Sequence, residues 1–105
     1  MNAEQKNFIE VVGAIASADM KNSGVAASLT TAQAILESAW GKSELTKTGN
    51  ALFGIKATKD WKGKTLTRKT TEYEGGKKVQ VEAEFRAYDT WEDSVKDHSA
   101  FLKKY

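Results

Sequence analysis

Ala32-Gln33-Ala34-Ile35-Leu36-Glu37-Ser38-Ala39-Trp40-Gly41-Lys42-Ser43 is the stretch around which the rest of the chain can be organised. Leu29, Ala32, Ile35, Leu36 and Ala39 recur at spacings of three and four, the period of a helix with one buried stripe. Ser28 is placed to cap the start, and Gly41 to end the helix in the left-handed region. The spacing predicts a helix over 29–39 with Glu37 on its last turn, where the backbone dipole disfavours a carboxylate. Trp40, three residues on, is placed to cover the same face. The dipole contributes about 0.3–1 kcal/mol at an exposed helix end, and burial of a carboxyl contributes several times more. Cover by Trp40 is therefore the effect expected to keep Glu37 protonated near neutral pH, as a general acid must be. The other reading of Glu37 is an ordinary surface residue on a polar helix face.

Two further stretches stand in order behind this one. They are Asn50-Ala51-Leu52-Phe53-Gly54-Ile55-Lys56, and Phe85-Arg86-Ala87-Tyr88 followed by Trp91-Glu92-Asp93-Ser94 and Asp97-His98. With 32–43, these three motifs resemble the glucosaminidase domain of glycoside hydrolase family 73, over about residues 28–102. That family comprises peptidoglycan-cleaving autolysins, flagellar wall-piercing enzymes and phage endolysins. The resemblance implies an endo-β-N-acetylglucosaminidase acting on the GlcNAc-β-1,4-MurNAc bonds of peptidoglycan glycan strands. Glu37 would be its general acid, and no cofactor or metal would be needed.

The flanking sequence supplies the remaining elements. Asn2 and Gln5 form a capping box for a helix running to about Met20, with Phe8, Val12, Ile15 and Met20 on its inner face. Asn22-Ser23-Gly24 ends it. Ser43 caps a short helix over 44–48, closed by Gly49. Gly54 breaks the apolar run Leu52-Phe53-Gly54-Ile55 and lets the backbone approach something closely. Residues 65–74 and 77–86 alternate with period two around Gly75-Gly76, the signal of a two-residue hairpin. Thr90 then caps a last helix with Trp91, Val95, His98, Phe101 and Leu102 on one face. Residues 1–105 read as one α+β domain, mostly helical with a β-hairpin lobe, and lysozyme-like by the resemblance.

The hairpin points to a second carboxylate. If Glu74 opposes Lys77, then Glu72 faces Val79 and shares one sheet face with Leu66, Val81, Ala83 and Phe85. An acid on an apolar face needs a reason, and the edge of a cleft facing Glu37 is one. The other reading is a hairpin tip projecting into water. Thr70-Thr71-Glu72-Tyr73 resembles the family segment that carries a second functional glutamate, which places Glu72 ahead of Glu74. For sugar binding the candidates are Trp40, Phe53, Trp61 and Tyr88 by stacking, with Trp40 and Tyr88 preferred, and Asn50 by hydrogen bonding an acetamido group. Capping a turn is an equal reading for Asn50. Trp91 reads as core, and His98 as a core histidine with its hydrogen bonds satisfied.

Composition bounds the rest. Sixteen basic and fourteen acidic residues leave a net charge of +2, compatible with an anionic wall and too mild to argue for nucleic acid. The absence of cysteine and the single histidine exclude disulfides, thiolate metal sites and multi-histidine metal sites. No apolar run approaches a membrane span, and no signal peptide is visible. The expected location is extracellular or in the cell wall, as a phage endolysin or a domain of a longer protein. Family domains usually continue past the helix at 90–102 into a Tyr-Ala-Thr-Asp-Pro segment whose tyrosine lines the active site. Tyr105 does not stand in such a motif, so the expectation is a cleft lacking one wall, with weak hydrolysis and self-association. A muramidase or lytic transglycosylase on the same fold, or a weakly active wall-binding module, remains the alternative.

Overall fold

Asn2 starts the first helix with a reciprocal cap. Its side chain accepts from Gln5 N (2.8 Å), and the Gln5 side chain accepts from Asn2 N (3.1 Å). The structure, a computed structural model, describes residues 1–104. Four helices and one hairpin follow in the order α1 (Ala3–Ser23), α2 (Ala27–Ser38), α3 (Glu44–Gly49), β1 (Thr65–Glu74), β2 (Lys77–Arg86) and α4 (Trp91–Lys104). Tyr105 lies outside the described residues, and with it the expectation attached to that residue.

The core sits where α1, α2 and α4 meet the 50–55 loop. Phe8, Val12, Ala34, Leu52, Phe53 and Val95 are its buried members, with Ile15, Ile35, Trp40, Ile55 and Trp91 packed against them. Leu52 is held from both sides, because its backbone N–H donates to the buried Ser94 Oγ (3.1 Å). Trp91 is core as expected, meeting Phe8 edge-on at 5.5 Å. Met20, by contrast, is 41% exposed, and Ala16 takes the inner position instead.

The signature helix differs from its predicted form. It begins two residues earlier, Ala26 caps it without a side-chain hydrogen bond, and Ser28 caps nothing. Its buried residues are Thr30, Ala34 and Ser38, whereas Leu29 is 47% and Leu36 80% exposed. Ala32 and Ala39 are exposed too. Small side chains at i, i+4 and i+8 make a low ridge that lets α1 approach closely, which leucines in that row would prevent. Burying hydroxyls along that ridge is tolerable where they are satisfied. Ser38 Oγ donates to Ala34 O (2.5 Å) and accepts from Gly41 N (2.8 Å).

The helix is ended by three consecutive left-handed residues, Ala39 (φ 50°), Trp40 (φ 61°) and Gly41 (φ 81°). The two non-glycine members cost roughly 1–2 kcal/mol each. What this turn achieves is to carry Trp40 back onto Phe8, 6.2 Å away and edge-on. Gly41 is required there, since a Cβ would lie 2.9 Å from the Phe8 ring.

The hairpin has the predicted register, with Glu74 opposite Lys77, Glu72 opposite Val79 and Leu66 opposite Phe85. Gly75 and Gly76 (φ 55° and 78°) make the tight turn. Its base is fastened to the 50–55 loop, for Arg86 N donates to Ile55 O and Ala57 N to Glu84 O, both at 2.8 Å. Arg86 then ties the end of β2 to α4. Its Nη1 donates to both carboxylate oxygens of Asp97 (3.1 and 3.0 Å) while the guanidinium lies over Trp61 and Phe101.

Candidate active site

Glu37 stands at the last turn of α2 with its side chain exposed. The expected tryptophan cover does not form, because the left-handed turn sends Trp40 to the far side, against Phe8. What closes on Glu37 instead is the 53–55 loop. Gly54 has φ +60°, and a Cβ built on it would lie 3.9 Å from Glu37 Oε2. The close approach expected of Gly54 is therefore to the candidate acid itself.

Glu37 opens into a cavity of about 260 Å³. Helix α2 lines it with Gln33 and Glu37, the loop with Phe53 and Ile55, and α4 with His98, Phe101 and Leu102. Gln33 and Glu37 are one turn apart on the same helix face. Phe53 is only 7% exposed, and one face of its ring is taken by His98, stacked at 3.8 Å and nearly parallel. It is a wall of the cleft rather than a free platform for a sugar.

His98 departs from its expected role. It is buried at 5% exposure, yet Nδ1 has no hydrogen-bond partner, and the ring lines the same cavity as Glu37. Burial pushes its pKa below the usual 6.5, against the opposing charges of Asp19 and Asp97, so the imidazole is neutral near pH 7. Gln33 Oε1 is likewise buried without a partner. Each such atom costs about 1–3 kcal/mol.

Glu72 is half-buried on β1 and is not one of the residues lining this cavity. Its Oε1 accepts from Lys56 Nζ at 3.2 Å. Lys56 bridges to Phe85, whose partner Leu66 lies six residues before Glu72. Six residues of straight strand cover about 20 Å, more than the two side chains span. The ion pair therefore reports a hairpin curled toward the 50–56 loop. Lys56 was legible as a motif residue, but its pairing required that curl.

Two other candidates are placed elsewhere. Asn50 is left-handed (φ 53°) and donates from Nδ2 to Tyr88 O (3.0 Å) and Asp89 O (3.1 Å), which makes it a turn cap. Tyr88 is 9% exposed and donates its hydroxyl to Asp97 Oδ2 at 2.6 Å. Burial, then the hydrogen bond to Asp97 and its charge, raise the Tyr88 pKa, and Arg86 opposes them. Trp61 packs edge-on to Tyr88 at 5.7 Å and donates Nε1–H to Lys64 O. Trp40, Asn50, Trp61 and Tyr88 are thus not brought to the Glu37 cavity. Gln33, Ile55, Phe101 and Leu102 are, together with His98. Among the described residues no group of three or more His, Asp or Glu is placed to hold a metal ion.

A glucosaminidase family model, described as mannosyl-glycoprotein endo-beta-N-acetylglucosaminidase, matches residues 13–105. The exo-glucosaminidase LytG of Bacillus subtilis is 43% identical over 96 residues, covering 91% of this chain and 33% of that protein. The peptidoglycan hydrolase FlgJ of Salmonella typhimurium is 34% identical over 108 residues, covering 99% of this chain and 34% of the relative. The chain thus spans about a third of the length of these relatives. Among solved structures, the catalytic domain of the autolysin Auto from Listeria monocytogenes superimposes with a TM-score of 0.86 at 36% identity, over 97% of this chain and 58% of that one.

Proposed function

The chain belongs to the glucosaminidase family, and from that premise we propose that it hydrolyses the glycan strands of peptidoglycan as an endo-β-N-acetylglucosaminidase. The observation that carries this reading is an exposed carboxylate, Glu37, standing over a cavity that the 53–55 loop and α4 close from the other side. Glu37 delivers the proton to the leaving glycosidic oxygen. A sugar filling the cavity displaces water from around it, and that desolvation favours the neutral acid. Substrate thereby supplies the cover that Trp40 does not.

Glu72 is the proposed second carboxylate. Lys56 holds it on the concave side of the curled hairpin, from where it activates a water or supports an intermediate formed by the substrate's own acetamido group. The site of action is the cell wall, as an extracellular or wall-located enzyme. Mass spectrometry of fragments from digested walls tests the reading. Reducing GlcNAc ends on internal fragments are expected. Reducing MurNAc or anhydro-MurNAc ends would replace it with a muramidase or transglycosylase, and release of single terminal sugars would make the enzyme exo-acting. Wall sedimentation without any new ends would mark a binding module.

A further inference from the structure

The Glu37 cavity adjoins other depressions. Phe101 lines it and also lines a second depression of about 220 Å³. Trp61 and Asp97 are common to that one and to a third of about 470 Å³. Helix α4 contributes to all three. Asp93, Asp97, Ala100 and Lys104 recur along it at spacings of four, three and four, which puts them in one stripe. Phe101 stands at the edge of that stripe, toward His98 and Leu102. From Phe101 back to Asp93 the helix rises about 12 Å. An extended peptide of about four residues has that length.

The groove is ionic rather than a further platform for sugars. The Trp61 ring lies under the Arg86 guanidinium, 4.8 Å from its centroid, and meets the buried Tyr88 edge-on. Gly63 passes so close that a Cβ there would lie 2.5 Å from the same ring. Most of that aromatic surface is already in contact. The charges lining the groove are of both signs. Arg86 pairs with Asp97 and Lys64 with Asp89. Asp60, Asp93 and Lys96 are exposed, and their side chains have no hydrogen bond or ion pair among the described residues. A bare sugar chain offers no cation to Asp60 and Asp93, and a polyanion would be repelled by them. A short peptide bearing both carboxylate and amino groups answers both signs. In the bond proposed for cleavage the leaving sugar is the muramyl residue, and wall peptides are attached to its lactyl group. We infer that the groove along α4 binds this stem peptide, Lys96 meeting a peptide carboxylate and Asp93 an amino group, so that peptide-bearing strands are preferred to bare glycan. This rests on the reading that the Glu37 cavity takes the glycan strands of peptidoglycan.

The test is titration calorimetry with a wall tetrasaccharide that carries its peptides and with the same tetrasaccharide after an amidase has removed them. The Glu37→Gln background suppresses turnover. The peptide-bearing form should bind about 5- to 20-fold more tightly, the sum of two or three exposed charge contacts. Adding Lys96→Met and Asp93→Asn together should bring that ratio to within about twofold, with binding of the bare tetrasaccharide unchanged. Lys96→Arg should keep the ratio, since it keeps the charge. Salt at about 0.5 M should lower it, because exposed charges are screened. Equal binding of the two forms, or a ratio that the double change does not move, would overturn the inference. Peptide-dependent binding without any cutting of walls would remove the proposed hydrolysis and leave the groove assigned. Cutting of walls with no preference in binding would do the reverse.

Discussion

Glu37 is placed by two opposed backbone devices: the end of α2 presents it, and left-handed Gly54 lets the next loop pass beside it. Glu37→Gln should reduce wall lysis by about 10²–10⁴-fold, with circular dichroism and Tm unchanged because the side chain is exposed. A folded variant with parental activity would remove the assignment. His98 carries a different signature. Its folded pKa lies below 6.5, so above about pH 6.5 neither state binds the proton. Below it the unfolded chain takes up a proton that burial denies the folded one, and stability falls as pH drops. The loss attributable to this group by pH 5.5 is less than about 1.4 kcal/mol. Urea midpoints for the parent and His98→Gln at pH 7.5 and 5.5 should show the steeper acid loss in the parent.

At the scale of elements, the hairpin puts alternate residues on opposite faces. Glu72 is on the half-buried face with Val79 and Val81, whereas Glu82 points the other way and Glu74 lies at the exposed tip. Glu72→Gln is therefore expected to cost wall-lytic activity, with Glu74→Gln and Glu82→Gln close to the parent. Equal activities across all three would show that the hairpin supplies no functional carboxylate. The curl that turns Glu72 inward depends on the base of the hairpin. There Arg86 and Asp97, with side chains 14% and 18% exposed, join β2 to α4. Removing one partner of such a pair leaves a poorly solvated charge. Asp97→Asn should cost about 2–3 kcal/mol in urea denaturation, at or below the low end for a fully buried pair.

For the whole molecule, stability depends on a small core with little redundancy. Leu52 is fully buried at the junction of the helices and the loop. Leu52→Ala should cost about 2–5 kcal/mol, a large part of the 5–15 kcal/mol typical of a domain. Denaturant midpoints check it, and a cost below 1 kcal/mol would mean the core collapses around the cavity. Leaving Leu29 and Leu36 outside puts apolar surface on α2, and Met20 and Val11 are exposed on α1. We propose weak self-association through this surface. The sedimentation coefficient should rise with concentration, and less so in Leu36→Lys; a concentration-independent value in the parent would refute it.

The sequence by itself determined what depends on local rules. The capping box at Asn2 and Gln5, the helix opened by Ser43 and the hairpin register needed only neighbours within a few residues. So did the need for glycine at 54, where motif and backbone freedom coincide. The two-residue turn fixes pairing by chain connectivity, which is why Glu72 could be placed on its face before any contact was known. What only the tertiary structure decided was which side of each helix faces inward and which unlike residues meet. Apolar periodicity chose Leu29 and Leu36 for the core of α2, but close packing against α1 required the small residues Thr30, Ala34 and Ser38. Trp40 was separated from Glu37 by three left-handed residues, two of which are types that seldom adopt that conformation. Gln33 and His98 lie 65 positions apart and carry no shared pattern. They line one cavity only because α2 and α4 enclose it, and closure of that kind is a property of packing that no local spacing encodes.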